Sequence, residues 1–536
     1  MNHIVFFEDL LLVLLGACVL SLVASRFNLP SAAVLLVGGA AIGFATDAPV
    51  VALDPDVIMV VLIPPLLMSS AFYTAWREFR RETASIASLA LGSVMFTTAC
   101  VACAVHWVDP QLPWAACVAL GAIVSPPDAV AAKALLGKLP LPERLVTVLE
   151  GESLVNDASG LVIYRFALVA LAAGTFSPSG AALTFSTLSL VGMATGALIG
   201  WATVKLLGWL EDTHLVVVLT FLAAWAAYLL GERLHGSGVL SVVVCGLIVG
   251  LCQHMTLDAT TRLKTTGTWD VAVFVLEALV FILIGVSLPG TLAKLDAGHT
   301  FSWWLPERVW VIAGVTVAAV IVARFVWVMG AIALPEYLLA RARGTVVRTD
   351  LKQATILGWA GMRGVVSLAA ALALPVSLAD RDLLIFSTFA VIFVTVVVQG
   401  LTLAPLARFV GFRDAHASAE TKYLTQYQAR SLTFQASLDA LKQIDLTQCK
   451  GDEDVVLRLI DEYSYRIDSN AQAHTGGESL VHLRLTRLNL GLRAVQAGRA
   501  ALLQLHDENR IKHKTLQRIE SELDFEEARL KRLLGP

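Results

Sequence analysis

Apolar runs of about 18 residues or more recur along this chain from Leu10 to about Leu406. A helix of that length crosses the roughly 30 Å hydrocarbon layer of a bilayer. Because lipid offers no partners for backbone N–H and C=O groups, only helices and closed barrels span it. With 57% hydrophobic and 15% charged residues in 536, the composition excludes a water-soluble protein. The pattern predicts an all-α polytopic membrane protein.

Length and apolarity predict about thirteen transmembrane helices. Their predicted centres are Leu15, Val37, Val61, Val94, Val118, Asp157, Gly196, Ala223, Val243, Leu279, Ala318, Val366 and Val391.

Two of these spans are interrupted. The fifth contains residues 125–128 (Ser-Pro-Pro-Asp), and two consecutive prolines remove two helix donors and clash with the preceding turn. The twelfth contains residues 358–364 (Gly-Trp-Ala-Gly-Met-Arg-Gly), where the glycines loosen the helix around an arginine. Irregular backbone at this depth is tolerated only where it is buried in protein or lines a cavity.

The two interruptions occupy corresponding places if spans 1–6 and 8–13 form two repeats joined by the seventh span. Paired interrupted segments in two halves of a transporter point to a binding site at the midplane. An odd number of spans inverts the second half relative to the first. We therefore predict two inverted repeats whose interrupted helices cross near the midplane.

The basic residues of the loops predict the orientation. With the N-terminus outside, outward loops hold only Arg233, Lys294, Arg308 and Arg381. The inward loops then carry Arg26, Arg77, Arg80, Arg81, Lys138, Arg144, Arg262, Lys264, Arg341, Arg343, Arg348 and Lys352. The positive-inside rule thus favours an outside N-terminus and a cytoplasmic C-terminus.

The character of the sequence changes near residue 411. Residues 412–536 are charged and carry patterns typical of helices. We predict a transmembrane domain over residues 1–411 and a helical cytosolic tail over residues 412–536. The tail holds no candidate ligand group, so we interpret it as a regulatory or packing appendage.

Residues 149–157 (Leu-Glu-Gly-Glu-Ser-Leu-Val-Asn-Asp) place three carboxylates inside an apolar run. Asp157 lies roughly 20 Å along its predicted helix and so near the middle of the bilayer. A charge there is costly and normally faces a cavity or a partner. Ser153 shares a helix face with Asp157, and Glu152 shares the adjoining face with Asn156. The alternative is a satisfied structural polar cluster between helices.

Other ionisable residues also lie deep in predicted spans. Glu277 and Arg324 each need a partner, and structural pairing is the interpretation we favour for both. Arg165 lies roughly 12 Å past Asp157 on the same helix. It either extends to the outer interface or lies in an outward path.

These motifs resemble those of NhaP-type bacterial sodium/proton antiporters in the monovalent cation:proton antiporter-1 family. That family has a helix reading Gly-Glu-Ser-Leu-(Leu/Val)-Asn-Asp, matched by residues 151–157. Its broken fifth helix, Ser-Pro-Thr-Asp-Pro-Val-Ala, is matched in part by residues 125–131, and the Arg-Gly of its twelfth helix by residues 363–364. The resemblance covers nearly the whole chain.

The resemblance implies a set of site residues. Asp157 would be the cation- and proton-binding carboxylate. Ser153 and Asp128 would complete the site for a monovalent cation, and Asn156 would hold it together. The resemblance also implies a bacterial plasma (inner) membrane. We expect a homodimer in the lipid bilayer that handles monovalent cations and protons, without a cofactor or nucleic acid.

The resemblance further implies a structural ion pair between Glu152 and Arg363. The chain departs from the family pattern at two positions. Pro127 stands where the family has threonine, so no hydroxyl ligand is available there. Ser69 stands where the family often has glutamate, shortly after Pro-Pro-Leu-Leu. Ion selectivity is the property that these departures leave open.

The predicted function follows from the chemistry of one carboxylate. Na⁺ is a hard ion that prefers oxygen ligands. Burial raises the pKa of a carboxylate towards the working range, and a bound cation favours deprotonation. Competition for Asp157, combined with alternating access, gives exchange without a channel. We therefore predict a secondary active antiporter, not an enzyme, that exchanges Na⁺ or Li⁺ for H⁺.

The stoichiometry and the alternatives complete this prediction. Some relatives carry two adjacent carboxylates at the position of residues 156–157 and are electrogenic. Here the first is Asn156, so we predict electroneutral 1:1 exchange. The nearest alternative is K⁺/H⁺ antiport by the same fold. A cation channel and a non-transporting membrane sensor are alternatives from other classes.

Overall fold

The computed structural model describes residues 3–45, 58–128, 142–173, 178–295, 307–333, 351–378, 380–410, 426–444, 453–475, 478–508, 510 and 513–534. The chain divides into two compact units, Met1–Ala417 and Ser418–Pro536. The predicted boundary at residues 411–412 lies outside the described residues. So do residues 129–131 of the fifth-helix motif and four of the predicted inward basic residues: Lys138, Arg341, Arg343 and Arg348.

The first unit consists of helices wherever the structure describes it. They are α1 (His3–Arg26), α2 (Ser31–Ala45), α3 (Ile63–Phe72), α4 (Trp76–Arg81), α5 (Thr83–Ala87), α6 (Val94–Val108), α7 (Trp114–Val124), α8 (Glu143–Ala173), α9 (Pro178–Leu207), α10 (Thr213–Arg233), α11 (Gly238–Thr256), α12 (Ala259–Leu295), α13 (Glu307–Trp327), α14 (Leu351–Trp359), α15 (Val365–Leu372), α16 (Arg381–Phe393) and α17 (Gly400–Val410). Short π-helical turns occupy Ile58–Leu62, Ser88–Ser93, Val328–Ala333 and Val394–Gln399.

The lengths of these helices confirm an all-α polytopic membrane protein. Within the described ranges, seven helical stretches are long and apolar enough to cross a membrane, and five shorter apolar helices accompany them. No strand occurs in the same residues. The total of thirteen crossings stays a prediction.

One bundle of the first unit is built on close backbone contacts. A Cβ added to Gly39 of α2 would overlap the backbone of Ile282 in α12, and one added to Gly285 of α12 would overlap the Leu36 carbonyl. A Cβ on Gly250 of α11 would overlap the Phe72 carbonyl of α3. Small residues that let backbones meet are the usual basis of helix packing in lipid. These contacts join α2 to α12 and α3 to α11, and buried residues of all four helices share one apolar cluster. We call these four helices the scaffold bundle.

A second bundle packs through larger apolar side chains. Buried residues of α6, α7, α13, α15 and α16 form one apolar cluster, in which Leu120, Ile312 and Leu384 are fully buried. Tyr164 and Ala167 add α8 to the same cluster. We call this group the core bundle, and it contains α7 of the fifth span and α15 of the twelfth.

The structure shows both predicted interruptions. Helix α7 ends at Val124, directly before residues 125–128, because two consecutive prolines provide no N–H to continue it. The twelfth span breaks between α14 and α15 at residues 360–364. The two breaks meet, since the Asp128 N–H donates to the Met362 carbonyl over 2.7 Å.

The second unit is also helical wherever it is described, as predicted. It contains α18 (Gln426–Lys442), α19 (Glu453–Thr475), α20 (Glu478–Asp507) and α21 (His513–Leu534). The Asn470 amide of α19 donates to Ser431 Oγ of α18 over 2.7 Å. Arg499 of α20 pairs with Asp524 and Glu527 of α21. The unit thus has its own internal contacts.

Candidate ion-binding site

Helix α8 carries four polar side chains in the middle of the core bundle. Asp157 is 7% exposed, while Asn156 and Glu152 are fully buried. Ser153 lies one turn before Asp157 on the same face and is half-buried. The helix therefore presents one carboxylate and one hydroxyl to the same side.

A cavity of about 40 Å³ opens beside this face of α8. Its volume is room for a few water molecules. The polar groups of its wall are Asp157, Ser153, Asp128, Glu277, Ser70 and Ser367, and the rest of the wall is mostly apolar. The charges of Asp128 and Asp157 interact electrostatically across it. The structure thus brings together three of the predicted ion ligands: Asp157, Ser153 and Asp128.

Two buried side chains hold the break of the fifth span. The Asn156 amide donates to the Pro127 carbonyl over 2.5 Å. The Arg363 guanidinium donates to the Ser125 carbonyl over 2.6 Å, and its backbone N–H donates to Thr395 Oγ1 over 3.0 Å. These contacts fix the backbone directly before Asp128, which lines the same cavity as Asp157. The role of Asn156 in holding the site together stays a prediction.

Glycines make room for side chains where the two breaks, residues 125–128 and 360–364, meet, a place we call the crossing. A Cβ on Gly364 would overlap the Asp128 carboxylate, and one on Gly160 of α8 would overlap the Pro126 ring. A Cβ on Gly361 would likewise overlap the Arg324 side chain. The glycines of the twelfth span therefore act by allowing close approach as well as by loosening the helix.

The predicted partner of Glu152 was wrong: Glu152 pairs with Arg324 and not with Arg363. Both carboxylate oxygens of Glu152 accept from Arg324 of α13, over 2.7 and 2.9 Å. Arg324 also donates from Nε to the Leu357 carbonyl, which satisfies a third donor. Arg363 lies close enough to Arg324 and Glu152 to interact with their charges, but its guanidinium donates to the Ser125 carbonyl. Structural pairing was the right interpretation for Arg324.

Two of the secondary candidates lie away from the cavity. Arg165 forms an ion pair with Glu232 at 2.9 Å, and both side chains are partly exposed. Ser69 is absent from the cavity wall, although its neighbour Ser70 contributes to it. Sequence reasoning missed Ser70 and the carbonyls of the break. No periodicity in the sequence marks a carbonyl oxygen as a contact.

The cavity wall contains the carboxylates of Asp157, Asp128 and Glu277. Within the part of the chain that the structure describes, no three His, Cys, Asp or Glu residues converge closely enough to hold a metal ion. Carboxylate and hydroxyl oxygens with room for water nevertheless suit a hard monovalent cation that keeps part of its hydration.

Comparisons with known proteins agree with this architecture. The family described as "Sodium/hydrogen exchanger, transmembrane" matches residues 10–409. An uncharacterised Na⁺/H⁺ exchanger of Mycobacterium bovis is 31% identical over 99% of this chain and 97% of its own. A "sodium, potassium, lithium and rubidium/H⁺ antiporter" of Bacillus pumilus is 28% identical over 86% of this chain and 68% of its own. The solved structure of the sodium proton antiporter MjNhaP1 from Methanocaldococcus jannaschii matches with a TM-score of 0.61 at 18% identity, over 76% of this chain and 99% of that one. That structure shows the shared fold.

Proposed function

The chain belongs to the sodium/hydrogen exchanger family, and we propose from this premise that it exchanges Na⁺ or Li⁺ for H⁺ at Asp157. Membership makes it a membrane transporter that acts on monovalent cations and protons, and not an enzyme. The observation that carries the proposal is the placement of Asp157. Its nearly buried carboxylate opens onto a cavity that it shares with Ser153 and Asp128.

Exchange follows from competition for one carboxylate. Deprotonated Asp157 attracts a cation, with the Ser153 hydroxyl and the Asp128 carboxylate as further oxygen ligands, directly or through water. A proton on Asp157 removes that charge and releases the cation. A bound cation in turn favours the deprotonated form. Each species therefore displaces the other.

Alternating access needs the site to face the two sides in turn. Asp157 and Asp128 belong to the core bundle, whereas the opposite wall, with Ser70 and Phe281, belongs to the scaffold bundle. We propose that one bundle moves against the other around the site, which is the usual mode for transporters with broken helices.

The stoichiometry rests on Asn156. This side chain is neutral at every pH, and its amide holds the Pro127 carbonyl. Asp157 alone then exchanges one proton for one monovalent cation, so a full cycle moves no net charge. The proposal is electroneutral 1:1 exchange.

The proposed selectivity is for Na⁺ over K⁺, and two observations bear on it. The Bacillus pumilus relative is named for four alkali cations. Pro127 lacks the hydroxyl that the resemblance led us to expect at this position. K⁺/H⁺ exchange is therefore the second candidate.

A homodimer in a bacterial plasma membrane, with the N-terminus outside and the tail in the cytoplasm, is proposed with the function.

Proteoliposomes with an internal pH dye test the proposal. Addition of Na⁺, Li⁺ or K⁺ to acid-loaded vesicles should change the dye signal for the transported ions and saturate with concentration. Asp157→Asn should abolish this flux while the protein stays folded, because the amide keeps the shape but cannot titrate. Glu211→Gln, which neutralises an exposed carboxylate, is the matched control and should transport normally. Cation-driven proton flux retained in Asp157→Asn contradicts the assignment.

A further inference from the structure

Glu277 is a carboxylate of the cavity that the exchange cycle above does not use. It lies in the middle of α12 and is half-buried. It belongs to the cavity wall together with Asp157, Asp128 and Ser153. From the sequence we favoured structural pairing for Glu277 as well as for Arg324, and for Glu277 that interpretation stays a prediction.

Glu277 belongs to the scaffold bundle, whereas Asp157 belongs to the core bundle. Its helix packs against α2 with the two backbones in close approach, at Gly39 against Ile282 and at Gly285 against Leu36. Contacts of this kind leave little room for sliding, since any shift brings backbone against backbone. Glu277 therefore stays with the scaffold bundle when the core bundle, with Asp157, moves.

The position of Glu277 fits a role towards cations. A carboxylate in a mostly apolar cavity raises the local concentration of cations and offers hard oxygen ligands. The other titratable groups that line the same cavity are Asp128 and Asp157. Because Glu277 stands on α12 whereas Asp157 stands on α8 and Asp128 follows α7, Glu277 forms a separate station on the cavity wall.

We propose that Glu277 is a stationary cation-binding residue that receives the ion from solution and passes it to Asp157. The proposal rests on the proposed antiport function and adds a second station to the same cavity. Glu277 does not cross the membrane with the core bundle, and it returns to the same state after each cycle. The exchange therefore remains one proton for one cation.

The test separates binding from turnover. In proteoliposomes, Glu277→Gln should raise the apparent KM for Na⁺ roughly tenfold, equivalent to about 1.4 kcal/mol. The maximal rate should change less than about twofold, because the carrier Asp157 is intact. Glu277→Asp, which keeps the charge, should restore most of the KM. Asp270→Asn is the matched control: Asp270 lies seven residues earlier on α12, is exposed and is absent from the cavity wall.

A second measurement covers the case in which transport itself is lost. Equilibrium binding of ²²Na⁺ to purified protein in detergent should weaken in Glu277→Gln and recover in Glu277→Asp. A Glu277→Gln variant with the wild-type KM and wild-type binding overturns the proposal. A Glu277→Gln variant that only yields less folded protein, or only has lower thermal stability, also overturns the proposal, since Glu277 would then have a structural role. Failure of the wild type to exchange any cation for protons refutes the antiport function instead.

Discussion

Replacing Arg324 by methionine should destabilise the protein far more than replacing Arg363 by methionine. The Glu152 side chain is 1% exposed and receives two hydrogen bonds from Arg324. Removing one partner of a buried pair leaves an uncompensated charge, which costs roughly 3–5 kcal/mol. Arg363→Met instead loses one charged hydrogen bond to a carbonyl, worth about 1.5–3 kcal/mol. It also removes a positive charge that lies near Arg324.

The double variant Glu152→Gln, Arg324→Met isolates the pair. With both charges removed, no uncompensated ion is left, so the double variant should be more stable than Arg324→Met alone. The favourable coupling between the two substitutions should lie at the upper end of roughly 0.5–3 kcal/mol. Pairing Glu152→Gln with Arg363→Met should give a smaller coupling, because the two side chains are not hydrogen-bonded to each other.

Reversible unfolding in detergent by titration with SDS measures these differences. The 12 tryptophans of the chain supply the fluorescence signal. From the most to the least stable, the expected order is wild type, Arg363→Met, the double variant Glu152→Gln, Arg324→Met, and then Arg324→Met alone. If Arg363→Met costs as much as Arg324→Met, or if the Glu152–Arg324 coupling is zero, the reasoning about the buried pair is refuted.

Three further predictions concern the crossing, the tail and the stoichiometry. Gly364→Ala should reduce transport strongly in a folded protein, because its Cβ would overlap the Asp128 carboxylate, whereas a Cβ at Gly314 meets nothing and Gly314→Ala should transport normally. Equal flux in the two variants contradicts this. Truncation after about Ala415 should leave exchange intact with at most a shifted pH profile, and a well-folded truncation that is inactive at every pH disproves it. In vesicles clamped with valinomycin and K⁺, the Na⁺/H⁺ equilibrium should not move with voltage, although one charge per cycle would be worth about 2.3 kcal/mol per 100 mV. A voltage-dependent equilibrium would point to Asp128 as a second titrating group.

The positions of Asp157, Ser153 and Asp128 on one cavity wall were predictable because their sequence signals are local. Depth in an apolar run and a spacing of four residues place Asp157 and Ser153 on one buried face. Two prolines force the break that places Asp128 nearby. Each inference needs only the geometry of one helix or the chemistry of one residue type.

The partner of Glu152 was not predictable in the same way. The sequence shows that a deep carboxylate needs a counter-charge, and it offers Arg324 and Arg363 at similar depth. Which of the two faces Glu152 depends on how α13 and α14 pack against α8. That packing is set by contacts far apart in the chain, such as Gly361 against Arg324. The same reason explains why the place of Glu277 on the cavity wall became visible only in the folded chain.

The crossing of the two interrupted spans includes a bond between main-chain atoms, from the Asp128 N–H to the Met362 carbonyl. No ordinary side-chain replacement at Met362 removes this bond, and at position 128 only proline does. Alanine scanning therefore does not detect this bond, because truncating a side chain removes neither of its two main-chain groups. The side chains around the break, Pro127 among them, can therefore differ between relatives while the main-chain junction between the two interrupted spans stays the same.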